Sequence, residues 1–322
     1  VSGTTTVAPA RAPQSVRTGH AARLDHHLQT SSRTFALTIP LLHEPTRTEV
    51  TVAYLLFRIA DSLEDSTRWS RPQKLTELER LARFLERPTG EEAITLARRW
   101  AADPPLEHAG YVDLLSDLPT VMNAARGLSP QAWDLIAQHT IRTCRAMATF
   151  VAREERGVLS LRDLDDLRAY CYAVAGIVGE MLTELFLLGR GPWRRIAPHI
   201  RRDATVFGEG LQLVNIIKDR ARDADEGRHY LPKGIGGDTI LGLARRDLDA
   251  AARYCVRLER AKADSGIVAF TALPVLLARA TLDRVERAGT GAKLTRDEVT
   301  AIMNRLRAAL DRGAVAPLMR PA

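Results

Sequence analysis

At 322 residues, 45% of them hydrophobic, the chain is long enough for one large domain or two modest ones with a substantial core. Its formal charge of +7 comes mostly from Arg dispersed among acids, with only five Lys and no dense basic run. That pattern argues against nucleic acid as a partner and leaves only a weak attraction to anionic lipid or to a polyanionic substrate.

In chain order, residues 1–20 (VSGTTTVAPARAPQSVRTGH) are small, polar and free of acids, the composition of a disordered leader, with a targeting peptide as the alternative. Residues 21–322 are expected to form a single all-α domain. Apolar residues recur at three and four, and breaks are expected near Pro40, Pro72, Pro88, Pro104, Pro130, Pro192, Pro232 and Pro274. No stretch is expected to reach the roughly 18 to 20 apolar residues that span a bilayer. The best candidate, AVAGIVGEML, is half that and carries Glu180. A cytoplasmic protein without a transmembrane anchor follows, contact with a membrane surface being the remaining option. Cys144, Cys171 and Cys255 lack CxxC spacing and are expected as reduced core thiols.

The first informative helix contains VAYLLFRIADSLED. Tyr54, Arg58, Asp61 and Asp65 are spaced four, three and four, so they stack on one face, with Glu64 beside it. Further along, YCYAVAGIVGEMLTELF carries Gly176 and Gly179, which mark either a kink or close backbone approach beside a cavity, or ordinary tight packing. Its Glu180 is expected at a helix end or in a salt bridge, with polarising a substrate or accepting a proton as the alternative. His26, His27 and His229 have no metal-ligand pattern and are expected at the surface.

A second polar stripe lies in LQLVNIIKDRARDADEGRHYLP, where Gln212, Asn215, Asp219 and Asp223 are spaced three, four and four. A single aspartate pair one turn apart is most often a solvated face. Two such pairs, each continuing an apolar face, are different. Like carboxylates repel, and burying them without cations costs several kcal/mol per charge. Mg²⁺ relieves this with one or two carboxylates, waters and phosphate oxygens. The expectation is two facing acidic helices that bind a diphosphate through Mg²⁺, with Arg58, Lys218 and Arg228 taking the remaining charge.

These segments resemble the squalene and phytoene synthase family. SSRTF (31–35) resembles its opening signature, YLLFRIADSLED its first aspartate-rich motif, YCYAVAGIVGEMLTELF its central segment, and LQLVNIIKDRARDADEGRHYLP its second aspartate motif. The similarity runs from about Ser31 to Pro232 and then fades. It implies an all-α isoprenoid-synthase-type bundle around a central cavity, with Asp61, Asp65, Asp219 and Asp223 as Mg²⁺ ligands. It also implies that Ser32, Arg33, Tyr54, Arg58, Gln212, Asn215 and Arg228 hold diphosphates or line the reaction centre, and that Tyr170 lies near the reacting carbons. Phe35, Tyr54 and Tyr170 are the π faces expected to steady a carbocation. Lys218 stands where many relatives carry Arg, a point charge in place of a fork.

The implied activity is ionisation of an allylic prenyl diphosphate and coupling of the cation, 1 to 1′, to a second prenyl diphosphate. The alternative keeps the ionising site and passes the prenyl group to a non-isoprenoid acceptor such as an aromatic ring. A catalytically inactive assembly protein is disfavoured, because all four aspartates remain with Arg58 and Arg228. NADPH is not indicated by the sequence, since no dinucleotide fingerprint is expected in this fold.

Overall fold

The structure, a computed structural model, describes residues 14–32 and 34–320. Of the expected leader, residues 1–13 lie outside the described residues, while 14–20 open the first helix. Fourteen α-helices follow one another among the described residues: α1 (Gln14–Ser31), α2 (Phe35–Thr38), α3 (Thr46–Glu64), α4 (Arg71–Glu86), α5 (Gly90–Ala102), α6 (Ala109–Ser116), α7 (Leu118–Ala125), α8 (Pro130–Val151), α9 (Leu164–Cys171), α10 (Ile177–Leu187), α11 (Ala197–Asp225), α12 (Gly237–Arg260), α13 (Ser265–Ala288) and α14 (Arg296–Asp311). The expected all-α bundle is what forms.

Helix starts follow local chemistry. Thr89 and Ser129 accept from the third backbone N–H beyond them, and Thr295 forms a reciprocal capping box with Glu298. Inside, α3 buries Leu55, Leu56, Ile59 and Leu63 completely. It packs on α8 and α4, while α11 packs between α10 and α12. Phe84, Trp100 and Phe186 fill the largest buried volumes.

Two glycines set the distance between α10 and α11. A Cβ on Gly179 would sit 2.1 Å from the Ala204 carbonyl oxygen, and one on Gly208 would sit 2.1 Å from that of Ala175. Of the two readings of Gly179, close backbone approach is the one observed. Between α9 and α10 a π turn, Tyr172–Gly176, carries the chain through without a break.

Three expectations are corrected. Pro274 does not break a helix but lies inside α13. The lost N–H costs about 3 kcal/mol in an isolated helix, yet here the helix is buried without interruption from Gly266 to Val275, and packing prevails. Leu164–Leu187 and Ser265–Ala288 are long and apolar enough to cross a membrane by length and composition, although none was expected to be. Both pack within the bundle, with 56% and 67% of the apolar window buried. His27 is fully buried, its Nε2 2.7 Å from Asp117, because α1 turns it onto α7. His26 and His229 are exposed, as expected. The three cysteines are buried and unpaired, and burial pushes the thiols of Cys144 and Cys255 up to about 12. Glu180 is salt-bridged to Arg142 at 2.9 Å.

One small departure from pure helix matters for the site. Strands β1 (Leu159–Ser160) and β2 (Arg228–His229) pair in parallel, with Leu159 N–H donating to Gly227 and Leu161 N–H to His229. This two-residue ladder fixes the backbone immediately after α11, and with it Arg228.

Candidate active site

A cavity of about 320 Å³ lies between α3, α10, α11 and α13. From α3 come Tyr54, Arg58 and Asp61, and from α11 come Gln212, Asn215 and Lys218. The first part of each polar stripe therefore reaches one space, whereas Asp65, Asp219, Asp223 and Arg228 are not among its walls. The other walls are hydrocarbon: Val50, Phe57, Val178, Met181, Leu182, Phe207, Phe270 and Leu277. Phe35 closes one side, its ring 5.4 Å from Tyr54 and 6.2 Å from Phe270.

Arg58 is held on three sides. Its guanidinium stands 5.7 Å from the Tyr54 ring centroid, 5.3 Å from that of Tyr111, and 3.4 Å from the Asp61 carboxylate. Burial opposes its charge, but Asp61 and the two phenols outweigh it and raise its pKa further. Tyr54 donates to the Ser31 carbonyl at 2.8 Å, and Ser32 Oγ accepts from the Phe35 N–H at 2.9 Å. Among the described residues the Ser32 hydroxyl proton has no acceptor. Arg33 lies outside the described residues.

The acids are strained electrostatically. Burial pushes the Asp61 carboxyl up to about 6, Arg58 pulling against it and Asp65 adding to it. Glu64 is 5% exposed and is not among the cavity walls; burial, with Asp65 adding to it and Arg228 pulling against it, pushes its carboxyl well above the carboxylate range. Asp223 is likewise raised by burial, only partly relieved by Arg222. Asp219 is met by Lys218 at 3.0 Å and Arg222 at 3.5 Å. Asp65, the C-cap of α3, meets Arg228 at 2.9 Å.

Such a surplus of desolvated carboxylates is the donor set of a hard divalent cation. No three His, Cys, Asp or Glu side chains converge on one point among the described residues. Mg²⁺ needs only one or two carboxylates, the rest of its shell being water and substrate oxygen, so these residues fit it.

Tyr170 stands apart from the cavity walls. It is buried, stacked on Tyr230 with centroids 4.6 Å apart, donates to the Tyr230 hydroxyl at 2.9 Å, and meets Phe150 edge-on. Burial, with Glu64 and Asp65 adding to it, keeps its phenol protonated. Tyr230, Tyr111, Phe207 and Phe270 were missed from the sequence. Phe270, Pro274, Leu277, Ala278 and Thr281 all face the cavity at helical spacing, a stripe that was legible in α13.

A helical bundle that lines an apolar cavity with acidic and basic side chains from two helices is the architecture of isoprenoid synthases, and known proteins agree. Residues 28–235 match the squalene/phytoene synthase family model, and the chain belongs to that family. It is 29% identical over 208 residues to a squalene synthase of Candida albicans, covering 65% of this chain and 44% of that one. Against the squalene synthase of Rattus norvegicus it is 31% identical over 217 residues, 66% of this chain and 47% of that one. The chain thus spans about half the length of these curated relatives. Among solved structures, TcSQS in complex with the ligand E5700 superposes with a TM-score of 0.75 at 24% identity, covering 94% of this chain and 92% of that one. Squalene synthase HpnC from Alicyclobacillus acidocaldarius gives 0.56 at 17%, covering 86% and 97%. Both share the fold.

Proposed function

We propose that the protein is a Mg²⁺-dependent prenyltransferase that ionises an allylic prenyl diphosphate and couples the carbocation, 1 to 1′, to a second prenyl diphosphate. The observation that carries this reading is the cavity itself: Arg58, Asp61, Gln212, Asn215 and Lys218 share it with walls that are otherwise hydrocarbon. One part suits a diphosphate and the rest suits prenyl chains.

Asp61, Asp65, Asp219 and Asp223 would hold the metal, which when bound neutralises charge building on the departing diphosphate. Arg58, Lys218 and Arg228 supply fixed positive charge at the same place, costing no reorganisation as the C–O bond breaks. The Gln212 and Asn215 amides and the Ser32 hydroxyl donate to diphosphate oxygens, with Arg33 beside them in the chain. The allylic cation is kept from water by the apolar walls and steadied by the π faces of Phe35 and Tyr54. Phe207 and Phe270 extend that aromatic lining. Tyr170, neutral and braced by Tyr230, backs the acidic end of α3. The hydrocarbon walls favour a second prenyl chain over a polar aromatic acceptor.

The test is incubation with Mg²⁺ and prenyl diphosphates of ten, fifteen and twenty carbons, with and without NADPH, followed by mass analysis of extracted products. A dimeric hydrocarbon or its cyclopropyl diphosphate precursor is expected. Consumption of diphosphate only when an aromatic acceptor is added would overturn the condensation.

A further inference from the structure

Helix α12 has a second chemically distinct face. Arg253, Arg257 and Arg260 repeat at four and three residues and so share one side, while Tyr254, Cys255 and Leu258 enter the core. The 3₁₀ turn Ala316–Met319 is drawn against that side by two fastenings. The Glu259 carboxylate accepts from the backbone N–H of Val315 and, at 2.8 Å, from that of Ala316. Arg279 of α13 donates to the carbonyls of Met319 and Arg320, each at 3.0 Å.

Between turn and helix lies a cleft of about 430 Å³, floored by Val256, Ala316 and Met319 and ringed by Arg253, Arg257, Arg260, Arg279 and Arg320. It shares no residue with the central cavity. Two of its arginines are neutralised, Arg279 by Asp249 at 2.7 Å and Arg257 by Asp203. Arg253, Arg260 and Arg320 are exposed, and among the described residues none has a carboxylate partner. Asp249 is the single acid on the rim among the described residues. A surface patch without purpose would scatter acids through such a ring, as the rest of this chain does.

We propose that this cleft is a second binding site, for a phosphate group carrying an apolar tail. Guanidinium forks take phosphate oxygens in pairs, and three unneutralised ones around a single opening supply the charge for one dianion. The floor of Val256 and Met319 gives no partner to a polar substituent and covers the first carbons of a chain. A phospholipid at a membrane surface and a soluble phosphorylated amphiphile present the same chemistry, so the experiment must separate them.

The full chain is titrated with dihexanoyl phosphatidic acid below its micellar concentration, with inorganic phosphate, and with phosphatidylcholine vesicles with and without phosphatidic acid. The monomeric lipid should bind at least about tenfold more tightly than inorganic phosphate. Arg253→Gln with Arg260→Gln should lose about tenfold or more of that affinity, and Val256→Ser should weaken the lipid but not inorganic phosphate. Mg²⁺-dependent diphosphate release should be unchanged in both variants, because neither alters the central cavity. Retention on phosphatidic acid vesicles that the double variant loses supports the site with the membrane as source. Binding of the monomeric lipid without vesicle retention supports it with a soluble ligand. Equal binding by wild type and double variant overturns the proposal, as does inorganic phosphate binding as tightly as the lipid.

Discussion

Arg228 holds Asp65 twice, one guanidinium nitrogen 2.9 Å from the carboxylate and another 2.8 Å from the backbone carbonyl. Residues 163 positions apart are joined this way, and with them the C-terminal ends of α3 and α11. Arg228 also meets Glu226 at 3.2 Å and lowers the otherwise raised Asp223. Gly227, at φ 78°, makes the turn that presents it, and a Cβ there would sit 2.9 Å from the Gly157 carbonyl oxygen.

Replacing Arg228 should therefore cost activity well beyond its share of fold stability. In the proposed reaction, Arg228→Gln would remove a positive charge from the departing diphosphate and should lower kcat about 10²- to 10³-fold. Arg228→Lys should recover only part, because a point charge cannot make both Asp65 contacts at once. Steady-state diphosphate release measures both.

The α10–α11 contact gives a stability prediction with a built-in control. Gly179→Ala forces a methyl to within 2.1 Å of a carbonyl oxygen of α11, and Gly208→Ala does the same against the π turn that leads into α10. Overpacking of this kind costs about 1–3 kcal/mol or more, a fall in Tm of roughly 1.5–4.5 °C or more for a chain of this size. Gly237→Ala, in the first turn of α12 with nothing within 4 Å, should be nearly neutral. Calorimetry of the three variants separates the cases.

Two buried carboxylates and a half-buried arginine tie α9, α11 and α12 together. Arg168 is 2.6 Å from Glu209 and 3.0 Å from Asp247, and burial already raises both carboxyls despite that partner. Arg168→Met strands two acids and should destabilise by about 3 kcal/mol at neutral pH. The sign of its pH dependence follows. A folded-state pKa above the unfolded value means the native form binds more protons, so the variant should regain stability as pH falls towards about 4.

The clasp of α1 behaves oppositely. Burial disfavours ionised Asp117, but hydrogen bonds from His27, Thr120 and Arg23 outweigh it and hold the carboxyl at about 2. A depressed folded-state pKa contributes stability above the unfolded value near 4 and loses it as pH falls through about 2. Because the group is partly exposed, the contribution is only about 0.5–1 kcal/mol. The stability gap between wild type and Asp117→Asn, followed by urea melts, should shrink between pH 4 and pH 2.

Spacing alone brought Tyr54, Arg58, Asp61, Gln212, Asn215 and Lys218 to one cavity, because side-chain periodicity on a helix survives folding unchanged. What spacing cannot carry is partnership across the chain. The Tyr170–Tyr230 stack joins residues 60 apart, and the burial of His27 depends on Asp113 and Asp117 arriving from α6 and the turn before α7. Pro274 reads as a break because its local cost is real, and the burial of α13 from Gly266 to Val275 offsets it. The Arg228 contacts were hidden likewise, since a two-residue strand between a helix and a loop leaves no periodic trace.

The central claim is that α3 and α11 act on one diphosphate with Mg²⁺ between them. It is tested most directly by Mg²⁺-dependent diphosphate release in Asp61→Asn, Asp219→Asn and the double variant, with a chelator control. If the acids serve one site, each single change should lower turnover about 10³-fold, and the double should lose little more than the worse single, since parts of one unit are not additive. Turnover that survives either substitution, or losses that multiply in the double variant, would contradict a shared site.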